Sequence, residues 1–206
     1  MRHDMFLLIE GDNGTGKDSL ALELQKYGFF IISYCNQAKE LEIQAKKCKG
    51  TSKIIHFLHY NKLCGQLAAK QDGDSILIRY WISTLAAAYA DNIYNEDYVV
   101  KTAKRMSESM PRPDLLIFLL CEFACRIGRI NSRNGLDKSL QDDTTVIRDK
   151  RYQRIIPLIL SASHYDYIMI DNTRKTPSET SLEIITYLKK KGMFYGKADK
   201  QIHLKG

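Results

Sequence analysis

The stretch that most constrains the fold runs from Phe6 to Ser19, with the sequence FLLIEGDNGTGKDS. Its apolar start, residues 6–9, has the length of a buried β-strand, and the apolar positions that begin at Leu20 fit an amphipathic helix. A glycine-rich turn separates the two. Its key positions follow the pattern G-x-x-x-x-G-K, at Gly11, Gly16 and Lys17, with an additional glycine at Gly14.

A strand, a glycine-rich turn and a helix N-terminus in this order predict a triphosphate-binding loop. Glycines permit the φ values that turn successive backbone N–H groups toward an anion, and the helix N-terminus adds partial positive charge. The lysine then reaches the β- and γ-phosphate oxygens. We therefore expect ATP as a cofactor, held by Gly11, Asp12, Asn13, Gly14, Thr15, Gly16, Lys17, Asp18 and Ser19.

The metal ligand departs from the usual pattern. A Ser or Thr that holds Mg²⁺ ordinarily follows the lysine, but here Asp18 occupies that position and Ser19 comes next. Both residue types supply the oxygen ligands that Mg²⁺ prefers. We predict that Asp18 or Ser19 serves Mg²⁺, and the sequence leaves open which of them does.

Composition and charge narrow the function classes. Of 206 residues, 44% are hydrophobic and 27% are charged, which is typical of a globular protein. No apolar run approaches the roughly 20 residues of a membrane span, and five cysteines without paired ligand spacing indicate reduced thiols. We expect a cytoplasmic protein without a membrane partner. The net charge of +7 is spread widely, and basic groups that bind polyphosphate explain it without nucleic acid.

Apolar segments alternate with helical patterns along the whole chain, which predicts a parallel sheet. The fold class is therefore α/β, with a five-stranded parallel sheet and helices on both faces. We expect one domain over residues 1–206. The predicted strands are 6–9, 29–34, 75–79, 114–120 and 167–170. The predicted helices follow the phosphate loop and lie near 36–49, 53–70, 82–109, 122–130, 144–162 and 177–191, with a polar loop at 131–143.

Ligands of such sheets bind beyond the carboxyl ends of the strands. The segments that follow the predicted strands are 11–18, 34–36, 79–83, 121–126 and 171–173. The chain also contains four sequence features that occur together in one family. They are Glu10-Gly11 at the phosphate loop, Arg79-Tyr80 followed by Ser83 and Ala86, Pro113-Asp114-Leu115, and a basic region that runs on to Arg148-Asp149-Lys150-Arg151-Tyr152.

In the order and spacing of these features the chain resembles the thymidylate kinase family of P-loop nucleoside monophosphate kinases. The resemblance covers nearly the whole length. It implies the P-loop kinase fold with a small lid, here at about residues 129–146, and transfer of phosphate from ATP to a nucleoside monophosphate such as dTMP. The partners that it implies are a nucleotide donor and a small phosphorylated acceptor.

The chain departs from the family pattern mainly on the acceptor side. Asn13 stands at the acidic position of the phosphate loop, and Ile78 stands at the aspartate that precedes the arginine after the third strand. Leu58 and Lys62 stand where the family pattern has a phenylalanine and an arginine that contact the base. Ala87-Ala88 replaces a Tyr-Gln pair. These departures make the fold a firmer prediction than thymine recognition.

Phosphoryl transfer depends on positioning and charge neutralisation, so arginines and the loop lysine are the catalytic candidates. Arg79 follows a strand beside the phosphate loop, and its planar fork suits a phosphate. Three arginines after the fourth strand suit a lid that closes over the donor. We predict catalytic roles for Lys17, Arg79, Arg126, Arg129 and Arg133, while Arg148 and Arg151 would anchor the lid or contact phosphate.

The acceptor and the donor base have separate candidate residues. For the acceptor we predict Phe57, Leu58, Tyr60, Lys62, Arg79, Tyr80, Ser83 and Ala87. The loop after the fifth strand lies where the family binds adenine, and it offers Asn172 and Thr173 to the donor base.

The sequence leaves three other interpretations open. A kinase of the same fold with another acceptor, such as a modified nucleotide, a nucleoside or a small phosphorylated metabolite, fits the altered acceptor helix. A non-catalytic nucleotide-binding regulator fits Asn13, Asp18 and Ile78, and a nucleic-acid-binding module fits the net charge. A homodimer through the apolar segment 85–89 is also possible, but a buried core face explains that segment equally well.

Overall fold

The structure is a computed structural model and describes residues 4–32, 36–132 and 145–194. Five parallel strands form one sheet in the order β2-β3-β1-β4-β5. The strands are β1 Phe6–Glu10, β2 Phe30–Ile31, β3 Ser75–Ile78, β4 Leu115–Leu120 and β5 Tyr167–Asp171. The predicted fold class is thus confirmed.

Eight helices connect and cover the strands within the described ranges. They are α1 Lys17–Gln25, α2 Asn36–Lys47, α3 Gly50–Lys70, α4 Trp81–Ala90, α5 Glu96–Ser109, α6 Phe123–Asn131, α7 Val146–Ser163 and α8 Pro177–Lys190. A turn at residues 91–95 divides the segment predicted as helical over 82–109 into α4 and α5. Pro177 opens α8 as predicted, beside a capping box formed by Thr176 and Glu179.

Alternation along β1 divides the core into two layers. Leu7 and Ile9 pack against α1 and α8 on one face of the sheet. Phe6 and Leu8 pack against α3, α4, α5 and α7 on the other. Since successive side chains of a strand point to opposite faces, Glu10 continues the row of Phe6 and Leu8 into the α4/α7 layer.

The two edge strands differ from the expectation of fully buried strands. The second strand was predicted over residues 29–34, but β2 has two residues, and Phe30 is 52% exposed. In β5, Tyr167 and Met169 are each 45% exposed. Each of these strands pairs with one neighbour, so its outer side lacks the cover that central strands receive.

The segment considered for a dimer interface belongs to the chain's own core. Leu85 is fully buried and Tyr89 is 7% exposed, and both pack in the layer that contains α7. The core explanation therefore accounts for the apolar character of α4. Among the described residues, no helix is long and apolar enough to cross a membrane.

Two helical glycines make a matched test of this packing. A Cβ at Gly65 of α3 would lie 2.2 Å from Tyr80 Oη, whereas a Cβ at Gly128 of α6 would meet nothing within 4 Å. We expect Gly65→Ala to lower the free energy of unfolding by about 1–3 kcal/mol through overpacking. Gly128→Ala should be neutral or raise it by up to about 1 kcal/mol. Urea denaturation measures both, and equal effects would contradict this account.

Candidate active site

The phosphate loop lies where the strand order places a crevice, at the carboxyl end of β1 between β3 and β4. Gly14 and Gly16 have φ values of 77° and 93°, which side chains rarely adopt. A Cβ at Gly14 would also lie 2.7 Å from the carbonyl oxygen of Arg126. Glycine at this position therefore lets α6 pack directly on the loop.

Lys17 is buried inside the loop that it serves. Its Nζ donates to the carbonyl oxygens of Gly11 at 2.7 Å and Asp12 at 2.5 Å, and to Thr15 Oγ1 at 3.3 Å. Burial, together with the nearby positive charge of Arg79, lowers the pKa of Lys17 to about 7. The ammonium is thus held at the base of the loop, where a phosphate would compete for it.

Arg79 reaches the same loop from the end of β3. The residue is exposed and has a left-handed backbone with a φ of 65°, which is uncommon for any residue with a side chain. Its Nη2 donates to Asn13 Oδ1. The structure therefore brings together Lys17 and Arg79, the two cations that the sequence predicted for the phosphates.

Arg126 lies at the site but in a different role from the one predicted. It is 4% exposed, and its Nη1 donates to Asp12 Oδ2 at 2.8 Å and to Asn13 O at 3.0 Å. Its Nη2 donates to Asp149 of α7. Because both ends of the guanidinium are engaged by protein groups, Arg126 ties the loop to α6 and α7.

Asp12 is the centre of this buried ionic network. Besides Arg126, it faces Arg148, with Nη1 3.6 Å from Asp12 Oδ1, and Arg148 Nε donates to Asp91 at 2.9 Å. The nearby carboxylates raise the pKa of Arg148 against the opposing effect of its burial. The predicted anchoring role of Arg148 fits these contacts better than contact with phosphate.

Arg129 joins the phosphate loop to the segment after β5. Its Nη1 lies 3.4 Å from Gly14 O and 3.3 Å from Thr15 O, and its Nη2 donates to Asn172 O at 2.7 Å. It is partly exposed, so it has access to a ligand over the loop. Arg133 and residues 133–144 of the predicted lid lie outside the described residues.

Asn172 was predicted to read the donor base, but its burial and its contacts do not support that role. It is 3% exposed, its Nδ2 donates to Thr15 O at 2.7 Å, and its Oδ1 accepts from Thr180 Oγ1 at 2.6 Å. Both ends of the amide are therefore used to brace the loop. Thr173 is similarly engaged, since its Oγ1 donates to Asp171 at 2.6 Å and accepts from Glu122 N at 3.0 Å.

Tyr80 is also corrected, because it is a core residue and not an acceptor contact. It is fully buried, its Oη donates to Pro111 O at 3.2 Å, and burial raises the pKa of its phenol. Ser83 is 5% exposed, and its Oγ donates to Tyr80 O at 3.2 Å. Both residues shape the start of α4 and leave the cleft to other side chains.

The remaining predicted acceptor residues lie on α3 and α4. Phe57, Leu58 and Tyr60 are half-buried, and Ala87 is half-buried on α4. Lys62 is exposed, whereas the preceding Asn61 is 2% exposed and donates to Thr84 Oγ1 of α4 at 2.8 Å. Asn61 is thus a polar group of α3 that faces α4.

Glu10 is a site residue that the sequence analysis used as a family feature without assigning it a function. It is fully buried, and its Oε1 accepts from Tyr80 N at 2.8 Å and Ser83 N at 3.3 Å. Burial raises the pKa of Glu10, and although the bond from Tyr80 N acts in the opposite direction, the resulting pKa is about 7. The alternation of β1 was the signal, since it puts a carboxylate in the row of Phe6 and Leu8.

The residues at the metal position fit Mg²⁺ chemically. Asp18 and Ser19 are exposed in the first turn of α1, and the carboxylate of Asp18 is close enough to raise the pKa of Lys17. Ile78, at the end of β3, is apolar and 6% exposed. No group of three or more His, Cys, Asp or Glu residues in the described ranges forms a metal site. An ion here would take its other ligands from phosphate and water.

The pairing of Asp12 with Arg126 is open to a double-mutant test. We expect Asp12→Ala and Arg126→Ala each to lower the free energy of unfolding by about 3 kcal/mol, because each leaves a buried charge without a partner. The double variant should lose less than the sum. The exposed pair of Lys26 and Glu23 is the control, and we expect its coupling to stay below about 1 kcal/mol. Additive losses at Asp12 and Arg126 in urea denaturation would contradict the network.

Comparison with known proteins agrees with this geometry. No family model matches the chain. A probable thymidylate kinase from Methanocaldococcus jannaschii is 24% identical over 200 residues, which cover 92% of this chain and 98% of that protein.

Solved structures share the fold. Thymidylate kinase from Candida albicans matches with a TM-score of 0.70 at 17% identity over 93% of each chain. Deoxyadenosine kinase from M. mycoides matches with a TM-score of 0.65 at 18% identity, over 90% of this chain and 100% of that one. With its glycine-rich loop, Arg79 and five-stranded parallel sheet, the chain is similar in sequence to a probable thymidylate kinase and shares the fold of solved thymidylate and deoxyadenosine kinases.

Proposed function

We propose that the protein transfers a phosphoryl group from ATP to a nucleoside monophosphate, with a dTMP-like acceptor. The observation that carries this proposal is the meeting of Lys17 and Arg79 at one loop from two different strand ends. Two cations beside a nest of backbone amides match the charge of a donor triphosphate next to an acceptor phosphate.

The donor phosphates would bind along the loop from Gly14 to Lys17. Lys17 Nζ is satisfied by two backbone carbonyls in the free protein, and a phosphate oxygen would replace them with a charge-assisted contact. Arg129 Nη1 contacts the carbonyl oxygens of Gly14 and Thr15 in the same loop. These groups neutralise charge and exclude water, which is the main contribution that a protein makes to phosphoryl transfer.

Arg79 would hold the acceptor phosphate in line with the donor. Its guanidinium is exposed beside the loop, and its fork offers two parallel donors to one phosphate. Asn13 Oδ1 holds the guanidinium in the free protein, so it aims Arg79 before the substrate arrives. Positioning of this kind lowers the entropic part of the barrier.

A Mg²⁺ ion would be held by Asp18, with Ser19 as the second candidate. The ion would supply charge neutralisation on the donor phosphates. A carboxylate at this position adds negative charge next to Lys17, which favours retention of the lysine proton.

The acceptor base would lie between α3 and α4. In this region Leu58 and Ala87, both half-buried, have less bulk than the residues of the family pattern, and Asn61 Nδ2 donates to Thr84 Oγ1 between the two helices. The fold match to a deoxyadenosine kinase makes a nucleoside the second acceptor class to test.

A coupled ADP-release assay with ATP and Mg²⁺ tests the activity across all nucleoside monophosphates and the deoxynucleosides. We expect turnover with a deoxypyrimidine monophosphate and a loss of at least about 100-fold in Lys17→Ala and Arg79→Ala, since each removes charge stabilisation of the transferred group. Lys26→Ala and Arg112→Ala are the controls, because both side chains are exposed and remote from the loop.

The outcomes separate the interpretations. Turnover with a nucleoside alone would support kinase activity but would show that the acceptor is a nucleoside and not a nucleoside monophosphate. ATP binding without turnover on any acceptor would favour a non-catalytic regulatory function over kinase activity. Full activity in both Lys17→Ala and Arg79→Ala would remove these residues from the mechanism.

Nucleotide binding should also take up a proton. The pKa of Lys17 is about 7 in the free protein, so at pH 8 most of the amine is neutral. Phosphates beside it favour the charged form, and we expect uptake of about one proton per bound ATP at pH 8 and much less at pH 6. Calorimetry in buffers of different ionisation enthalpy measures this, and Glu10→Gln removes the other group with a pKa near 7. Uptake that does not change with pH would contradict the lysine assignment.

A further inference from the structure

Glu10 occupies a position where the fold otherwise places an apolar side chain. It follows Phe6 and Leu8 on the face of β1 that packs against α4 and α7, and it is fully buried. A buried carboxylate is unfavourable unless specific groups compensate for the lost water. The partners of Glu10 therefore indicate why the position is polar.

The principal contacts of Glu10 are the amides that open α4. Tyr80 is the N-cap residue of α4, and no side chain of the local sequence caps the helix. Glu10 Oε1 accepts from Tyr80 N at 2.8 Å and from Ser83 N, the third residue of the helix, at 3.3 Å. Glu10 thus caps α4 from another strand, and it bonds the N3 amide that an ordinary N-cap side chain would bond.

The capped amide directly follows Arg79. Arg79 has a φ of 65°, a conformation that costs about 1 kcal/mol or more for a residue with a Cβ. The bond from Tyr80 N to Glu10 fixes the peptide unit between Arg79 and Tyr80. Arg79 N donates to Ile9 O at 3.0 Å, so residues of β1 accept hydrogen bonds from the amides on both sides of the Arg79 Cα.

We propose that Glu10 is a positioning residue that fixes the backbone of Arg79 and thereby aims its guanidinium at the acceptor phosphate. The inference rests on the proposed function, because it gives Arg79 an acceptor to bind. The negative charge of Glu10 also lies close to Lys17 and Arg79, so it lowers the repulsion between these two cations. Its other oxygen, Oε2, has no hydrogen-bond partner among the described residues.

Two variants separate the cap from the charge. Glu10→Gln keeps an oxygen that accepts from Tyr80 N and Ser83 N, whereas Glu10→Ala keeps none. We expect Glu10→Ala to lower kcat/KM for the acceptor by about 100-fold or more, through a rise in acceptor KM and a fall in kcat. The KM for ATP should change by less than about threefold, because the loop keeps its contacts. Glu10→Gln should restore most of the lost activity.

Asp74→Ala is the control for loss of stability alone. Asp74 is 4% exposed and accepts from Met5 N at 3.0 Å, at the opposite end of the same strands. Like Glu10, it is a buried carboxylate that bonds a backbone amide of a neighbouring segment. We expect Asp74→Ala to destabilise the fold and to leave the acceptor KM unchanged.

Amide hydrogen exchange gives a readout that does not depend on catalysis. The amides of Tyr80 and Ser83 should be protected in the wild-type protein and in Glu10→Gln, and should exchange faster in Glu10→Ala, along with shifted resonances of Arg79. If the wild-type protein transfers phosphate to no acceptor, the proposed function fails. In that case these amides still decide whether Glu10 holds Arg79.

The proposal is overturned by either of two results. In the first, Glu10→Ala resembles Asp74→Ala in its kinetics. In the second, Glu10→Ala raises the KM for ATP and for the acceptor equally, which would place the effect in the loop as a whole and not in Arg79.

Discussion

The site depends on the close approach of the phosphate loop to three neighbouring elements. A Cβ at Gly11 would lie 2.6 Å from Leu119 O of β4, and a Cβ at Gly14 would lie 2.7 Å from Arg126 O of α6. On the third side, Asn172 Nδ2 donates to Thr15 O. The loop is therefore shaped by contacts with β4, α6 and the segment after β5 as much as by its own sequence.

The charges around the loop follow from this close packing. The loop has carbonyl oxygens facing inward at Lys17 and a buried carboxylate facing outward at Asp12. Asp12 pairs with Arg126 and Arg148, so two arginines of the predicted phosphate-binding region are neutralised within the protein. Of the other described cations at the loop, Arg79 is exposed, Arg129 is partly exposed and Lys17 is buried at the base of the loop. Fewer arginines are therefore open to a ligand than the number near the loop implies.

Much of the fold was predictable from the sequence because it depends on local patterns. Strand and helix segments were predicted from apolar runs and periodicity, and most boundaries agree with the structure to within a few residues. The edge strand β2 was predicted too long, since an apolar run does not show whether a strand has one neighbour or two. The phosphate loop and Arg79 were predicted because each follows a strand directly.

The roles of the other site residues depend on pairs that are distant in sequence. Arg126 lies beside the loop, but its partner Asp12 is 114 residues away in the sequence, and no local pattern indicates that pairing. Asn172 has the chemistry to read a base, yet the loop 157 residues away uses its amide. A residue type shows what a side chain is able to bind, and only the tertiary structure shows which protein groups already form hydrogen bonds with it.

Because position 78 is an isoleucine and not a carboxylate, the negative charges near the loop lie elsewhere. In this chain the carboxyl end of β3 contributes no negative charge, and the buried carboxylate between β1 and α4 is that of Glu10. Glu10 bonds backbone amides, which fixes the start of α4 and the backbone of Arg79. Asp18, in the first turn of α1, supplies the exposed carboxylate instead. The acidic groups are therefore divided between a buried carboxylate that holds the protein framework and an exposed carboxylate at the start of α1.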